Sequence, residues 1–237
     1  MYYDSDYTLH YSITLIYVIS CYISYKYQDR IPKINTNIIK RISFIHNINL
    51  IIFNLYIFLT ILYEIYKKHL YFFGNDPNDT SNIVLNRVMY LFYISKYYDY
   101  IDTIIIVLNR NFHQLSYLHV FHHSTVSTLM LYNYKLVPYC GDMYFAIMYN
   151  SIIHVLLYYY YLLSSLYTKK TIWWAKYFTA MQLVQFVFCN IQQIGSLTTS
   201  KKYPAYIREI NILYGSYMFY LFIQFYIKRY IKRYKKI

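Results

Sequence analysis

The sequence has little charge, little glycine or proline, and few cysteines. Only 14% of its 237 residues are charged, and it contains four Gly, four Pro and three Cys. This composition argues against an ordinary soluble globule, which needs a charged exterior and many turns. Cys21, Cys140 and Cys189 show no CxxC or CxxH spacing. The sequence therefore indicates neither a metal site nor a disulfide framework.

Long apolar segments dominate the chain instead. Because a transmembrane helix needs roughly 20 mostly apolar residues, segments of this length are candidate spans. Seven segments qualify: 8–25, 42–66, 83–108, 117–137, 143–167, 172–194 and 210–227. The connections between them are too short to separate domains. We therefore predict one all-α integral membrane domain over residues 1–237, with about seven transmembrane helices.

The basic residues, which give a net charge of +13, predict how the chain is oriented. The first segment follows Asp4 and Asp6 and precedes a basic cluster, so we interpret it as a retained helix that starts outside the cytosol. Seven spans then place 14 Lys and Arg in cytosolic loops and tail and six on the other side. This bias follows the positive-inside rule and favours topology signals over a nucleic-acid surface. It predicts a cytosolic C-terminus and a lumenal sequon at 78–80.

The third segment contains Lys96, Asp99 and Asp102 at intervals of three. These residues share one face of a helix, so Lys96 can partly neutralise each acid. Ionisable groups at bilayer depth are costly, and they mark function by default. A structural ion pair that locks neighbouring helices is the equally good alternative.

The fourth segment opens with His119, His122 and His123. Positions i, i+3 and i+4 lie on one helix face, so at least two imidazoles can converge inside the bundle. Imidazole serves as acid, base, nucleophile and metal ligand near neutral pH. A single buried histidine is usually a core residue, but three within an apolar segment favour a function.

Weaker polar signals follow in the next two segments. In the fifth, Asn150 and His154 are one turn apart, and we expect them to hydrogen-bond to the histidine helix. Ordinary packing explains the tyrosines that follow. In the sixth, Thr179, Gln182 and Gln185 form a polar stripe, for which bonding between helices is the simpler explanation. With the predicted topology, the polar residues of these four segments all fall in the middle-to-cytosolic half of the bilayer. They predict one buried polar chamber that opens to the cytosol.

Together the polar clusters resemble the ELO family of fatty-acid elongases. The matches are KYYDYIDT at 96–103 to KxxExxDT, HVFHH at 119–123 to HxxHH, NSIIHVLLYYYY at 150–161 to NxxxHxxMYxYY, and TAMQLVQF at 179–186 to TxxQxxQF. Desaturases and hydroxylases share HxxHH, but four motifs in order over 96–186 are specific. Asp99 stands where the family usually has Glu, and Leu157 where it has Met.

The resemblance implies an acyltransferase of fatty-acid biosynthesis. Such an enzyme condenses acyl-CoA with malonyl-CoA to 3-ketoacyl-CoA, CO2 and CoA, and we expect no cofactor or metal. The implied setting is the endoplasmic reticulum membrane, beside a ketoacyl-CoA reductase, a dehydratase and an enoyl reductase. Arg233 and Lys235, fifth and third from the end, resemble a dilysine retrieval signal. Simple anchoring by positive charge explains them equally well.

The resemblance also implies roles for the motif residues. Our hypothesis is that His122 attacks the acyl-CoA and forms an acyl-imidazole. The other implied catalytic residues, which orient the imidazole, stabilise the enolate or hold histidine tautomers, are His119, His123, His154, Asn150, Asp99 and Asp102. The implied substrate-binding residues are Lys96, Gln182, Gln185, Tyr158 and Tyr161.

Two other classes of protein stay open on the sequence. A di-iron desaturase or hydroxylase needs about eight histidine ligands. This chain has eight histidines in all, of which His10, His46 and His69 lie outside any cluster. The other class is non-enzymatic, a heptahelical receptor or small transporter with a polar chamber.

Overall fold

Helices make up nearly all of the computed structural model, which describes residues 2–137, 139–166, 174–199, 202 and 204–231. The α-helices among these residues are α1 (Tyr2–Lys26), α2 (Thr36–Lys68), α3 (Ile83–Tyr98), α4 (Tyr100–Leu108), α5 (Tyr117–Leu136), α6 (Met143–Leu166), α7 (Ala175–Thr199) and α8 (Ala205–Tyr226). Short 3-10 turns lie in three connections, and a π-turn over Ile227–Ile231 follows α8. The described residues contain no strand, so the all-α prediction is confirmed.

The helices pack in a closed order. Helix α2 lies along α6, α6 contacts α7, α7 lies along α8, α8 contacts α5, α5 contacts α3, and α3 returns to α2. Helices α3 and α4 run end to end, so six rods complete this ring. Helix α1 packs against α4 and α5. The fold therefore brings the four motif-bearing segments into one ring of neighbours.

The third predicted segment is not one continuous helix. It divides at Asp99, a turn residue between α3 and α4. The backbone N–H of Asp102 donates to the carbonyl of Asp99 at 3.1 Å, an i to i+3 bond. Such tightening in mid-helix often marks a functional position. The break falls inside the charged motif. The apolar pattern continues without interruption through this motif, and it predicted a regular helix there.

Helix α2 is longer than predicted. It begins after Asn35, whose side chain caps it by accepting from the N–H of Asn37 at 2.9 Å. Lys40 and Arg41, which precede the predicted segment 42–66, lie in its first turns. Its 33 residues correspond to about 50 Å, more than the roughly 30 Å of a hydrocarbon core. The basic first turns therefore extend past the apolar part of the helix.

The surface is apolar while many polar side chains are buried. Examples of exposed apolar residues are Leu15, Ile16, Ile45, Ile52, Val184, Ile191, Ile210 and Leu213. Examples of buried polar residues are His10, Asn54, Lys96, Asp142, Gln192 and Arg208. Within the residues that the structure describes, three helical stretches are long and apolar enough to cross a membrane: Thr36–Lys68, Met143–Leu166 and Ala205–Ile231. The chain is therefore a multi-pass membrane protein, and the count of seven spans stays a prediction.

Hydrogen bonds between connections define two ends of the bundle. At one, the Arg110 end, the guanidinium donates to the carbonyls of Ile31 at 2.7 Å and Gln28 at 3.1 Å. At the other, the Asp142 end, Asp142 joins the α2–α3 connection to α7. The predicted tail signal at Arg233 and Lys235 lies outside the described residues.

Candidate active site

Asp102 connects three helices. Its Oδ1 lies 3.0 Å from Nε2 of His46 on α2, and its Oδ2 accepts from the hydroxyl of Tyr158 on α6 at 2.8 Å. His46 and Tyr158 are both buried. His46 lies outside the clusters in the sequence, and the helix packing brings it to a motif carboxylate 56 residues away. The bonds fix the carboxylate of Asp102 in the interior.

Lys96 and Asp99 form a buried ion pair. Lys96 Nζ lies 3.0 Å from Asp99 Oδ2. Only 2% of the surface of Lys96 and 3% of that of Asp99 are exposed. Tyr158 adds a longer bond to Asp99 Oδ1 at 3.5 Å. The predicted neutralisation within the helix thus holds for Asp99, whereas Asp102 has His46 and Tyr158 as its partners. Paired charges of this kind are tolerated in the interior.

The histidines of α5 converge as the spacing predicts. Ser116 caps the helix by accepting from the N–H of His119 at 3.3 Å, which sets where the histidine face begins. The ring centroids of His119 and His123 are 4.4 Å apart, and those of His122 and His123 are 5.6 Å apart. All three side chains are partly accessible. The first turns of α5 therefore present a group of imidazoles that a ligand can approach.

His119 and His122 each have a hydroxyl partner. Nε2 of His119 lies 2.7 Å from the hydroxyl of Thr103 on α4. Nδ1 of His122 lies 3.5 Å from the hydroxyl of Tyr214 on α8. Tyr214 lies outside the four motifs, and its position among 37 tyrosines gave no signal in the sequence. Both contacts restrict the orientation of the rings.

His154 joins the same region from α6. It is buried, and its ring centroid lies 5.7 Å from that of Tyr158. The expected hydrogen bonds from Asn150 and His154 to α5 are absent from the described part of the chain. Instead, His154 faces Tyr158, which holds Asp102.

Three further predicted residues, Gln182, Gln185 and Tyr161, lie on α7 and α6. Gln185 is buried and Gln182 partly buried on α7, and the described residues give neither a hydrogen bond to a histidine. Tyr161 contacts the ring of Tyr158 at 5.9 Å. Their predicted part in substrate binding stays a prediction.

Three imidazole nitrogens in this region are buried without a partner in the described chain. They are Nδ1 of His46, His123 and His154. Buried polar atoms in native structures are nearly always hydrogen-bonded, so each exception needs an explanation. Polar groups of a ligand that reached these nitrogens would supply the missing partners.

Two further features bear on what the site can bind. Within the described ranges, no group of three or more His, Cys, Asp or Glu side chains is arranged to hold a metal ion. At the Arg110 end, a cavity of about 480 Å³ lies beside the start of α5, and its lining includes Tyr25, His113 and Ser116. Ser116 is also the N-cap of α5.

The packing and the site define a class of protein: a multi-pass helical membrane protein with histidines and a buried ion pair in its interior. A family model described as ELO, the GNS1/SUR4 family, matches residues 2–237. The chain belongs to this family, as its four motifs predicted.

Similar proteins agree with that assignment. A very long chain fatty acid elongase 5 from Tachysurus fulvidraco is 32% identical over 221 residues, which cover 92% of this chain and 74% of the relative. The protein of that name from Xenopus tropicalis is 31% identical over 218 residues, 91% of this chain and 72% of the relative. That from Mus musculus is 32% identical over 219 residues, with the same two coverages of 91% and 72%.

Proposed function

We propose that this protein is a condensing enzyme of fatty-acid elongation, which joins an acyl-CoA to malonyl-CoA. The observation that carries the proposal is the convergence of the α5 imidazoles, whose ring centroids lie 4.4 and 5.6 Å apart, beside the buried Lys96–Asp99 pair. The names of the relatives, very long chain fatty acid elongase 5, support the same reaction.

In the first step, His122 acts as the nucleophile. Its Nδ1 faces Tyr214, so Nε2 is the nitrogen that attacks the thioester carbonyl. A C–N bond forms, the C–S bond breaks, and the CoA thiolate leaves and takes up a proton. The product is an acyl-imidazole, which water hydrolyses readily, and a site inside a ring of helices protects it.

In the second step, malonyl-CoA loses CO2, and the electron pair of the broken C–C bond remains as an enolate. The enolate carbon attacks the acyl group, the C–N bond breaks, and the departing imidazolate of His122 takes up a proton from solvent, which restores the neutral imidazole. The product is a 3-ketoacyl-CoA that is two carbons longer. The neighbouring groups that would stabilise the enolate and the leaving carboxylate are His119, His123, His154 and Asn150.

The buried charges would serve orientation. The Lys96–Asp99 pair and the bonds of Asp102 to His46 and Tyr158 hold the α3–α4 break against α2 and α6. Lys96 is also the interior cation that a carboxylate or thioester oxygen of the substrate would approach. Gln182, Gln185 and Tyr161 would contact the pantetheine arm from α6 and α7.

The proposal includes the cellular setting. Seven spans would enclose a polar chamber that opens at the Arg110 end, in the cytosol, together with the C-terminus. Lys and Arg on that face would attract the phosphates of CoA. The endoplasmic reticulum membrane, with the reductases and the dehydratase that complete the elongation cycle, is the setting that the family resemblance implies.

Capture of the acyl-enzyme tests the proposal. Purified protein is incubated with a series of acyl-CoA primers without malonyl-CoA, and CoA release and intact mass are measured. We expect release of up to one CoA per chain and an added acyl mass on the peptide that contains His122. His122→Ala should abolish both, whereas His69→Asn, which alters an exposed histidine at the far end of α2, should abolish neither.

The two competing classes predict different results. A di-iron enzyme would contain two iron atoms per chain, which metal analysis of the purified protein would detect. A receptor or transporter would release no CoA from any pair of acyl-CoA and malonyl-CoA. If His122→Ala retains full incorporation of malonyl-CoA carbon into fatty acids, the nucleophile assignment is wrong.

A further inference from the structure

Tyr17 lies on α1, outside all four motifs, and it reaches into the ring of helices. Its side chain is buried, and its ring stacks on Tyr100 with the centroids 4.0 Å apart and the planes 12° apart. Its hydroxyl lies 3.0 Å from the hydroxyl of Thr103 on α4. The stacking fixes the ring, so the phenolic oxygen has a defined position.

Thr103 carries the contact on to the histidines. The same threonine oxygen lies 2.7 Å from Nε2 of His119. Tyr17, Thr103 and His119 therefore form a chain of two hydrogen bonds that runs from α1 through α4 to α5. One hydroxyl proton of Thr103 is shared between these neighbours, so the proton positions along the chain depend on one another.

The chain has a consequence for the imidazole. When Tyr17 donates to Thr103, the threonine proton is directed to Nε2 of His119, which then carries its own proton on Nδ1. Without the phenol, the threonine hydroxyl is free to turn to the backbone carbonyl one turn earlier, the usual partner of a helical threonine. His119 would then lose both its fixed tautomer and its orientation.

We propose that Tyr17 is a positioning residue for condensation, which acts on His119 through Thr103. The inference rests on the proposed function, because it assigns His119 to the catalytic group. The inference also means that condensation requires α1, although this helix contributes no motif residue. Helix α1 supplies an oriented hydroxyl and does more than cover α4 and α5.

Other residues of α1 make their own hydrogen bonds to α3 and α5. The hydroxyl oxygen of Tyr17 can therefore be removed while α1 stays bonded to the bundle. His10 lies 2.6 Å from the hydroxyl of Tyr97 and 2.9 Å from that of Thr128. Tyr11 makes a hydroxyl contact of 2.6 Å with Tyr132 near the same end of the helix. Tyr17→Phe keeps the stacked ring and removes only the oxygen.

The experiment compares Tyr17→Phe with wild type, using purified protein, malonyl-CoA and a primer that wild type elongates. One hydrogen bond of ordinary strength corresponds to roughly a fivefold to tenfold loss of kcat. We expect that loss with KM for acyl-CoA changed less than about twofold, and with an unchanged melting temperature. Tyr11→Phe, which removes a hydroxyl from the same helix, is the matched control and should retain wild-type kcat.

A double-mutant cycle separates positioning from packing. Thr103→Val removes the middle hydroxyl, and Thr103→Ser restores it. We expect Tyr17→Phe combined with Thr103→Val to be no slower than Thr103→Val alone, and Thr103→Ser to retain most of kcat. Multiplicative losses, a wild-type kcat for Tyr17→Phe, or a loss of kcat that follows a loss of folded protein would each overturn the inference. If wild type condenses no primer, the proposed function fails, and this inference fails with it.

Discussion

Asp142 and His154 are both buried polar residues of the α6 region, but their surroundings differ. Asp142 immediately precedes α6, is 0% exposed, and accepts from the backbone N–H groups of Gly74 at 2.9 Å and Asn75 at 2.8 Å. The side chains of Asn75 and Ser196 donate to it as well, at 2.7 and 2.5 Å. His154, about three turns along α6, has an Nδ1 without a partner in the described chain.

The contrast separates two uses of a buried polar group. Oδ1 of Asp142 accepts from Asn75 in the α2–α3 connection, and Oδ2 accepts from Gly74 in that connection and from Ser196 on α7. Asp142 therefore joins the start of α6 to the α2–α3 connection and to α7. Ser196 in turn accepts from Arg208 on α8 through its backbone carbonyl. A satisfied network stabilises a fold, whereas unsatisfied nitrogens cost stability and persist where a ligand needs them.

Replacing His154 should give the largest effect, and it should be on activity. His154→Leu removes the imidazole beside Tyr158, whose hydroxyl holds Asp102, and acid or base groups in such sites contribute roughly a hundredfold to ten-thousandfold to the rate. The same change removes an unpaired buried nitrogen, so we expect the melting temperature to stay or rise. Malonyl-CoA incorporation and thermal melting of the purified protein measure the two quantities.

The control for that prediction is His69→Asn, because His69 is exposed and adopts a left-handed conformation that asparagine also accepts. It should change neither quantity. Loss of folded His154→Leu protein would contradict the view that His154 is kept for function.

Replacing Asp142 should have the opposite outcome. Asp142→Ala leaves the N–H groups of Gly74 and Asn75 and the hydroxyl of Ser196 without their acceptor. A buried donor that loses its acceptor costs about 1–3 kcal/mol of unfolding free energy, and the change leaves several such donors. We expect a sharp fall in melting temperature and in yield of folded protein, and near-normal activity in whatever remains folded. Asp29→Ala, at an exposed acid in the α1–α2 connection, should change stability by less than about 0.5 kcal/mol.

The sequence was sufficient to predict the helical segments and the group on α5. The lengths of the apolar runs locate the helices, and the i, i+3, i+4 spacing places His119, His122 and His123 on one face. Helices form at all seven predicted segments within the described residues. The break at Asp99 escaped prediction, because the flanking apolar pattern continues through it.

The partners supplied by other helices could not be predicted. Tyr17, His46 and Tyr214 reach the site from α1, α2 and α8, and nothing in their neighbouring residues distinguishes them. Tyrosine is too frequent in this chain to signal a site, and a lone histidine most often reads as core. Asp142 follows Gly141 in a connection, where an acid normally indicates exposure.

His10 sharpens the comparison, because it is a buried histidine with partners on both nitrogens. Its ring bonds Tyr97 at 2.6 Å and Thr128 at 2.9 Å, which attaches α1 to α3 and α5. His10→Leu removes one hydrogen bond from each of two partly buried hydroxyls, at a cost of about 1 kcal/mol per bond. We expect lower thermal stability with kcat of the folded protein within a few-fold of wild type, the reverse of His154→Leu. A large loss of kcat at unchanged melting temperature would place His10 with the functional histidines.

The smallest effect should come from the exposed ion pair at the Asp142 end. Lys202 Nζ lies 2.6 Å from Asp76 Oδ2, and this bond lowers the pKa of Asp76 and raises that of Lys202. Because its pKa is lowered, the ionised carboxylate of Asp76 stabilises the fold above about pH 4. This stabilisation is lost as the pH falls through the lowered pKa. Because its pKa is raised, the protonated amine of Lys202 stabilises the fold below about pH 10. This stabilisation is lost as the pH rises through the raised pKa.

Asp76→Asn should therefore lower the melting temperature slightly between those limits, and the difference from wild type should vanish at acid pH. High salt should remove the difference too, since exposed pairs are screened. Melting curves of both proteins across pH, at low and high NaCl, measure it. A loss as large as that of Asp142→Ala, or one that salt does not reduce, would mean that Asp76 belongs to the buried network. The distinction drawn at this end, between Asp142 in a buried network and Asp76 in an exposed ion pair, would then be wrong.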